Sequence, residues 1–354
     1  MKRAYDIKIN DLKELLQILY DNSSDSMVLR DAIRLENYIK RLENNFCTED
    51  SSSLLERMAG DIQLLPFYKP FYLFIERFLY TGVNPCDFDT EITYKTIKLS
   101  DRQIVRDTQA FFATQGESIY KNYCDFIEEA SDHLRFISPH TNTDGETISL
   151  KSIGESYVFS PNYSDITKFT ILVHEIQHVI DFYINPDFSD YYIIRECIAI
   201  FRELIACDFI ADKYNLKDEN YKRQYVIHAT IKCQAYNLGY KMEILNIINK
   251  NRSLNSSELL KLVEEKGFDK EDVEFYFEED ISTNYVYQIA YLIALELYSL
   301  YKIDKEKCFL VVEDIINNGN PINILSLLSE YGISLNNSVD TYEKKLLKKI
   351  KGIS

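Results

Sequence analysis

The segment Asp165 to Asn185, DITKFTILVHEIQHVIDFYIN, decides how the rest of the chain is read. Phe169, Ile171, Leu172, Val173, Ile176, Val179, Ile180 and Phe182 put apolar residues on almost every side of a helix, so the spacing predicts a helix inside the core. One polar stripe interrupts it. Thr167, Thr170, His174, His178 and Asp181 follow at three- or four-residue steps and point the same way. A polar stripe on a buried helix has to meet polar partners, a cavity or a metal ion.

The centre of the stripe carries the chemistry. His174 and His178, one turn apart, can offer two imidazole nitrogens to a single ion, and Glu175, about 100° round the helix, can reach a water on that ion. This is the HExxH arrangement of zinc hydrolases. A third ligand is required, and no further histidine occurs until His228, so a carboxylate on the next helix is expected. Glu196 and Glu203 both qualify. They lie on one helix face about 10 Å apart along the axis, so only one can bind the ion. A tight antiparallel turn near Pro186 brings Glu196 level with His178, whereas a longer connection brings Glu203 there; spacing leaves both open.

Working outward, the chain has 354 residues, 46% apolar and 13% aromatic, enough for one large core and too long for a disulfide-stapled module. Only 10 Gly and 7 Pro among abundant Leu, Ile, Glu and Lys favour helices, so the expected class is mostly α. The formal charge of 40 − 56 = −16 disfavours nucleic acid and anionic lipid as partners. Seven cysteines at irregular spacing, with no CxxC pair, read as reduced thiols. The start, MKRAYDIKINDLKELLQILY, has charges scattered through it and lacks a secretory pattern, so a cytoplasmic location is expected. Tyr285 to Tyr301, the most apolar long run, is broken by Gln288 and Glu296, and no membrane span is expected.

The first 60 residues suggest a small helical lobe, with loops at Asn22 to Ser26 and Ser51 to Ser53. Leu64 to Leu79 is apolar enough for core. Helical spacing runs from Ser100 to Asp132, and the only expected strands fall between Thr147 and Phe159, among turn formers such as Asp144, Gly145 and Gly154. From Asp165 to Lys351 the pattern is helical, with breaks near Pro186, Asn251 to Ser256, Gly267 to Asp269, Gly319 to Pro321 and Gly332.

The run SYVFSPNYSDITKFTILVHEIQHVIDFY resembles the active-site strand, loop and helix of oligoendopeptidase F, in the thimet oligopeptidase family of zinc peptidases. AFFATQGESIYKNYCDFIEEASDHLRFI, RECIAIFRELIACDF, TNYVYQIAYLIALEL and FLVVEDIINNGNPINILSLLSEYGISL resemble further stretches of that family in the same order, so the likeness covers roughly Thr108 to Leu335. It implies a helical zincin-like catalytic domain over 108–354 behind an N-terminal helical lobe over 1–107, with a small sheet beside the active-site helix. It also implies one Zn2+ per chain and a peptide substrate. The family's third ligand follows the second His by 25 residues, which implies Glu203 beside His174 and His178 as the metal set, with Glu175 as general base. Its late tyrosines, which bind the carbonyl oxygen of the tetrahedral intermediate, correspond to Tyr287 first and Tyr291 second, with Tyr285 alongside. Two departures stand out: Gln177 replaces the family's usual Gly, and no histidine lies between Glu271 and Asn284, where its second oxyanion donor is expected. The other class of function is therefore a non-catalytic relative that binds peptides. A sheet edge at Tyr157 to Ser160 is expected to pair with an extended peptide, and Asp181 and Asp208 to orient the ligating histidines.

Overall fold

The computed structural model describes residues 92–129, 132–137, 145–150, 154–186, 192–251, 256–268, 281–320, 322–335 and 339–351, with scattered helical positions between 13 and 35 and between 71 and 78. The loops expected at 22–26 and 51–53 lie outside the described residues. The chain divides into two compact units, Met1–Asp50 with Thr96–Pro186, and Ser51–Lys95 with Asp187–Ser354.

In the first unit, helices α1 (Asp101–Phe112) and α2 (Glu117–Glu129) lead to strands β1 (Leu134–Ile137), β2 (Glu146–Leu150) and β3 (Glu155–Pro161), followed by α3 (Ile166–Ile184). The Ser100 hydroxyl caps α1 by accepting from the Gln103 N–H at 3.2 Å. Gly116, at φ +110°, separates α1 from α2 with a backbone that side chains rarely adopt. Asp165 caps α3, its carboxylate accepting from the Thr167 N–H at 2.8 Å. The three helices meet through aromatic rings, Phe111 edge-on to Phe169 and Phe112 stacked on Tyr123. From Ile166 to Phe182 every side chain of α3 except His174 is buried, as its sequence predicts for a core helix.

The sheet has the order β1-β3-β2. β3 pairs in parallel with β1, from Leu134 opposite Val158 to Ile137 opposite Pro161, and antiparallel with β2, from Glu146 opposite Phe159 to Leu150 opposite Glu155. Ile137, Ile148, Leu150 and Phe159 cluster with Ile33 to form its core. Two expectations are corrected here. Strand β1 was not anticipated, because LRFI is too short to show alternation and follows a long run of helical spacing. Nor is Tyr157 to Ser160 an edge. As part of the central strand it has β2 on one side and β1 on the other, and a peptide could add only to the outer side of β1 or β2.

The second unit contains α4 (Tyr192–Tyr214), α5 (Lys217–Lys250), α6 (Ser256–Glu264), α7 (Ile281–Ile303), α8 (Lys305–Asn318), α9 (Ile324–Glu330) and α10 (Val339–Ile350). Helices end at the breaks read near Pro186, Asn251, Gly267, Gly319 and Gly332, whereas the boundaries at Asn215, where φ is +56°, and at Asp304 were not read from the sequence. Helix α7 packs along α4, and its run Ile289 to Leu297 is buried throughout. Of the apolar stretch Leu64 to Leu79, Phe71, Ile75 and Phe78 are buried. Among the described residues, no helix is long and apolar enough to cross a membrane.

Candidate active site

Within the first unit the site is built on α3. The His174 and His178 rings lie 4.9 Å apart between centroids and nearly perpendicular, at 85°. His178 is buried and His174 half-buried, so the stripe opens to its surroundings at His174. Glu175 is 6% exposed. The Thr147 hydroxyl on β2 reaches both ends of this residue, lying 2.8 Å from carboxylate Oε2 and 2.8 Å from the main-chain oxygen. A Cβ at Gly145 would lie 2.7 Å from Glu175 Oε1 and 2.5 Å from Ile171 Cγ2, distances that real side chains do not adopt. The start of β2 therefore rests directly on the carboxylate. Along the same helix, Gln177 donates to Asp181 Oδ1 at 2.7 Å, both residues fully buried, so the amide that replaces the family's glycine is held by the stripe's last carboxylate.

In the second unit, α4 carries both glutamates, each 6% exposed. The Glu203 carboxylate is 2.5 Å from the Arg223 guanidinium on α5. Burial works against the Arg223 charge, and Glu203, with Tyr94 and Cys207, more than offsets this. Asp208 accepts from Asn220 at 2.9 Å and the Tyr298 hydroxyl at 2.7 Å, and pairs with Lys302 at 2.6 Å. Its part is to join α4, α5 and α7, which corrects the expectation that it orients a ligating histidine.

The late tyrosines separate by environment. Tyr291 is fully buried, its hydroxyl 2.8 Å from His228 Nδ1, and burial pushes the phenol well above its ordinary pKa. Tyr287, four residues earlier, is 41% exposed. The side chain of Tyr285 lies outside the described residues.

No known family's sequence profile matches the chain, and no curated protein matches it in sequence. In three dimensions the chain does match solved structures. PZ peptidase A, solved with an inhibitor, superposes with a TM-score of 0.52 at 10% identity, over 99% of this chain and 68% of that one. The chain carries the PZ peptidase A fold. A Bacillus anthracis strain Ames structure assigned as an oligoendopeptidase F has a TM-score of 0.46 at 13% identity, over 93% of this chain and 62% of its own length. A Chlamydophila abortus structure assigned as a peptidase has a TM-score of 0.49 at 11% identity, over 99% and 64%. The chain thus spans between about three fifths and two thirds of these proteins.

The PZ peptidase A fold agrees with the resemblance read from the sequence in its mostly helical class. Two residues beside Glu175 escaped that reading. Thr147 looked like an ordinary strand residue and Gly145 like a turn former, and no local pattern distinguishes a threonine aimed at a helix from one aimed at solvent.

Proposed function

We propose that the chain is a zinc-dependent peptidase that hydrolyses peptide bonds, with Glu175 as general base. The observation that carries this reading is the pair of imidazoles one turn apart on a buried helix, with a glutamate between them held by Thr147. The peptidase fold of the neighbours supports it.

The donor types fit zinc. Two imidazoles and one carboxylate are a common catalytic set, which leaves a fourth tetrahedral position for water or substrate. For the third ligand, Glu203 was implied by the resemblance, but its carboxylate is committed to Arg223. The other glutamate read from the sequence is Glu196, and we assign it to the metal with His174 and His178 in preference to Glu203. When bound, zinc supplies a Lewis acid that lowers the pKa of water and polarises a carbonyl.

The chain's own residues do the rest. Glu175 takes a proton from the attacking water on a carboxylate oxygen and returns it to the departing amine. We assign the exposed phenol of Tyr287 to donate to the carbonyl oxygen, whereas the Tyr291 hydroxyl meets His228 within the core. The strand available to an extended peptide is β2, an edge of the sheet that already touches Glu175 through Thr147.

Metal analysis combined with cleavage of a quenched peptide library tests the proposal. One zinc per chain and chelator-sensitive cleavage are expected. Glu175→Gln should keep the zinc and lose at least about a hundredfold in rate, the usual scale for removing a general base. Zinc binding with no cleavage of any peptide would instead favour the non-catalytic peptide-binding relative, the reading to which the histidine-free stretch Glu271 to Asn284 points.

A further inference from the structure

We infer that Thr147 and Gly145 are positioning residues that fix the carboxylate of Glu175, an inference that rests on Glu175 being the general base. A glutamate side chain has three rotatable bonds, so a useful base must be held by its neighbours or lose much of its time to other rotamers. Thr147 supplies the hold. Its hydroxyl oxygen lies 2.8 Å from both Oε2 and the main-chain oxygen of the same residue, so the one proton it donates holds the carboxylate beside its own backbone. Gly145 supplies the close wall on the other side, where any Cβ would meet Oε1 and Cγ at 2.7 Å.

Both residues are themselves held. Thr147 pairs with Val158 and Glu146 with Phe159 of the central strand, and Val158 and Phe159 are fully buried. The Glu146 carboxylate between Gly145 and Thr147 takes a two-pronged grip from Arg34, with Nε at 2.8 Å and Nη2 at 2.5 Å. A hydroxyl on a paired strand is a more precise support than one on a loop. Because displacing a reacting group by about 1 Å can cost a hundredfold, the consequence should appear in turnover rather than in peptide affinity.

The experiment compares Thr147→Val, Thr147→Ser and Gly145→Ala with wild type and with Glu175→Gln, using the full chain and measuring kcat and KM separately, with zinc content and thermal midpoint for each. Thr147→Val removes the hydroxyl and keeps the shape. We expect it to lower kcat by about ten- to a hundredfold, with KM within about twofold and zinc unchanged. Thr147→Ser should restore kcat to within about threefold of wild type, a rescue that packing alone does not produce. Gly145→Ala should behave like Thr147→Val, and Thr147→Ala replaces the isostere if that fails to fold.

Wild-type kcat in Thr147→Val while Glu175→Gln is inactive would overturn the inference and leave the general base standing. Equal losses in the Val and Ser variants would overturn it too, by showing that side-chain packing on the strand rather than the hydroxyl matters. Retained activity in Glu175→Gln, or a wild type that cleaves no peptide, would sink the general-base reading and this inference with it.

Discussion

Glu196 and Glu203 lie on the same face of α4 with the same exposure, and it is Glu203 that meets the Arg223 guanidinium. Arg223 neutralises Glu203, so Glu203→Ala leaves a cation that keeps only 14% of its side chain exposed without its partner. We expect a loss of roughly 3 kcal/mol, seen as a lower thermal midpoint, with zinc stoichiometry retained. Glu196→Ala should do the opposite, losing zinc while the fold survives, because it removes one of three protein ligands. The reverse pattern would return the metal to Glu203 and restore the 25-residue spacing of the family. The tyrosines allow a parallel contrast. Tyr287→Phe should lower kcat by roughly ten- to a thousandfold, the range for single oxyanion donors, with little change in KM. Tyr291→Phe should leave kcat near wild type and instead destabilise the fold by about 1 to 3 kcal/mol, since it takes a hydrogen-bond partner from buried His228. Wild-type turnover in both variants would remove the tyrosines from the mechanism.

At the scale of elements, α5, α7 and α10 meet around a buried polar group. His228 Nδ1 faces Tyr291, its Nε2 is 3.4 Å from Glu343 Oε2, and Lys232 Nζ reaches the same oxygen at 2.8 Å. Phe78 lies edge-on to the His228 ring, and Tyr342 lies beside it. Burial lowers the His228 pKa below its ordinary value of 6.5; Glu343 opposes this and Lys232 reinforces it. Above pH 6.5 the imidazole is neutral in both folded and unfolded chains. Below it the unfolded chain takes up a proton that the fold resists, so stability should fall as the pH drops towards the folded value. His228→Gln should flatten that part of a denaturation-midpoint profile between pH 7.5 and 5.5; an unchanged slope would assign it to carboxylates. None of this cluster was legible in the sequence, because His228 meets Tyr291 across 63 residues and Lys232 meets Glu343 across 111. Helix α3 was legible, since both its apolar sides and its polar stripe are local patterns. Strand β1 was not, as its partner begins 24 residues later, at Val158, and alternation looks the same in a central strand as in an edge one. The histidines and Glu175 could be picked out from spacing alone, whereas the threonine that holds the Glu175 carboxylate could not.

For the molecule as a whole, the largest unspent property is charge. The formal charge is −16 and the sequence pI about 4.9, so the surface attracts cations over a range set by the ionic strength. At 0.1 M salt that range is about 10 Å, and at 1 M about 3 Å. A peptide rich in Lys and Arg should therefore meet the protein faster at low salt than a neutral peptide with the same scissile bond. Steering acts on encounter, so its effect belongs to kcat/KM rather than to kcat. We expect kcat/KM for the cationic peptide to fall at least about fivefold between 20 mM and 500 mM sodium chloride, with the neutral peptide staying within about twofold. An acidic peptide should move the other way, gaining as its repulsion is screened. The three slopes are measured on one preparation, so a loss common to all of them would mark salt acting on the fold. A flat response from the cationic peptide would mean that the negative charge lies away from the path of the substrate.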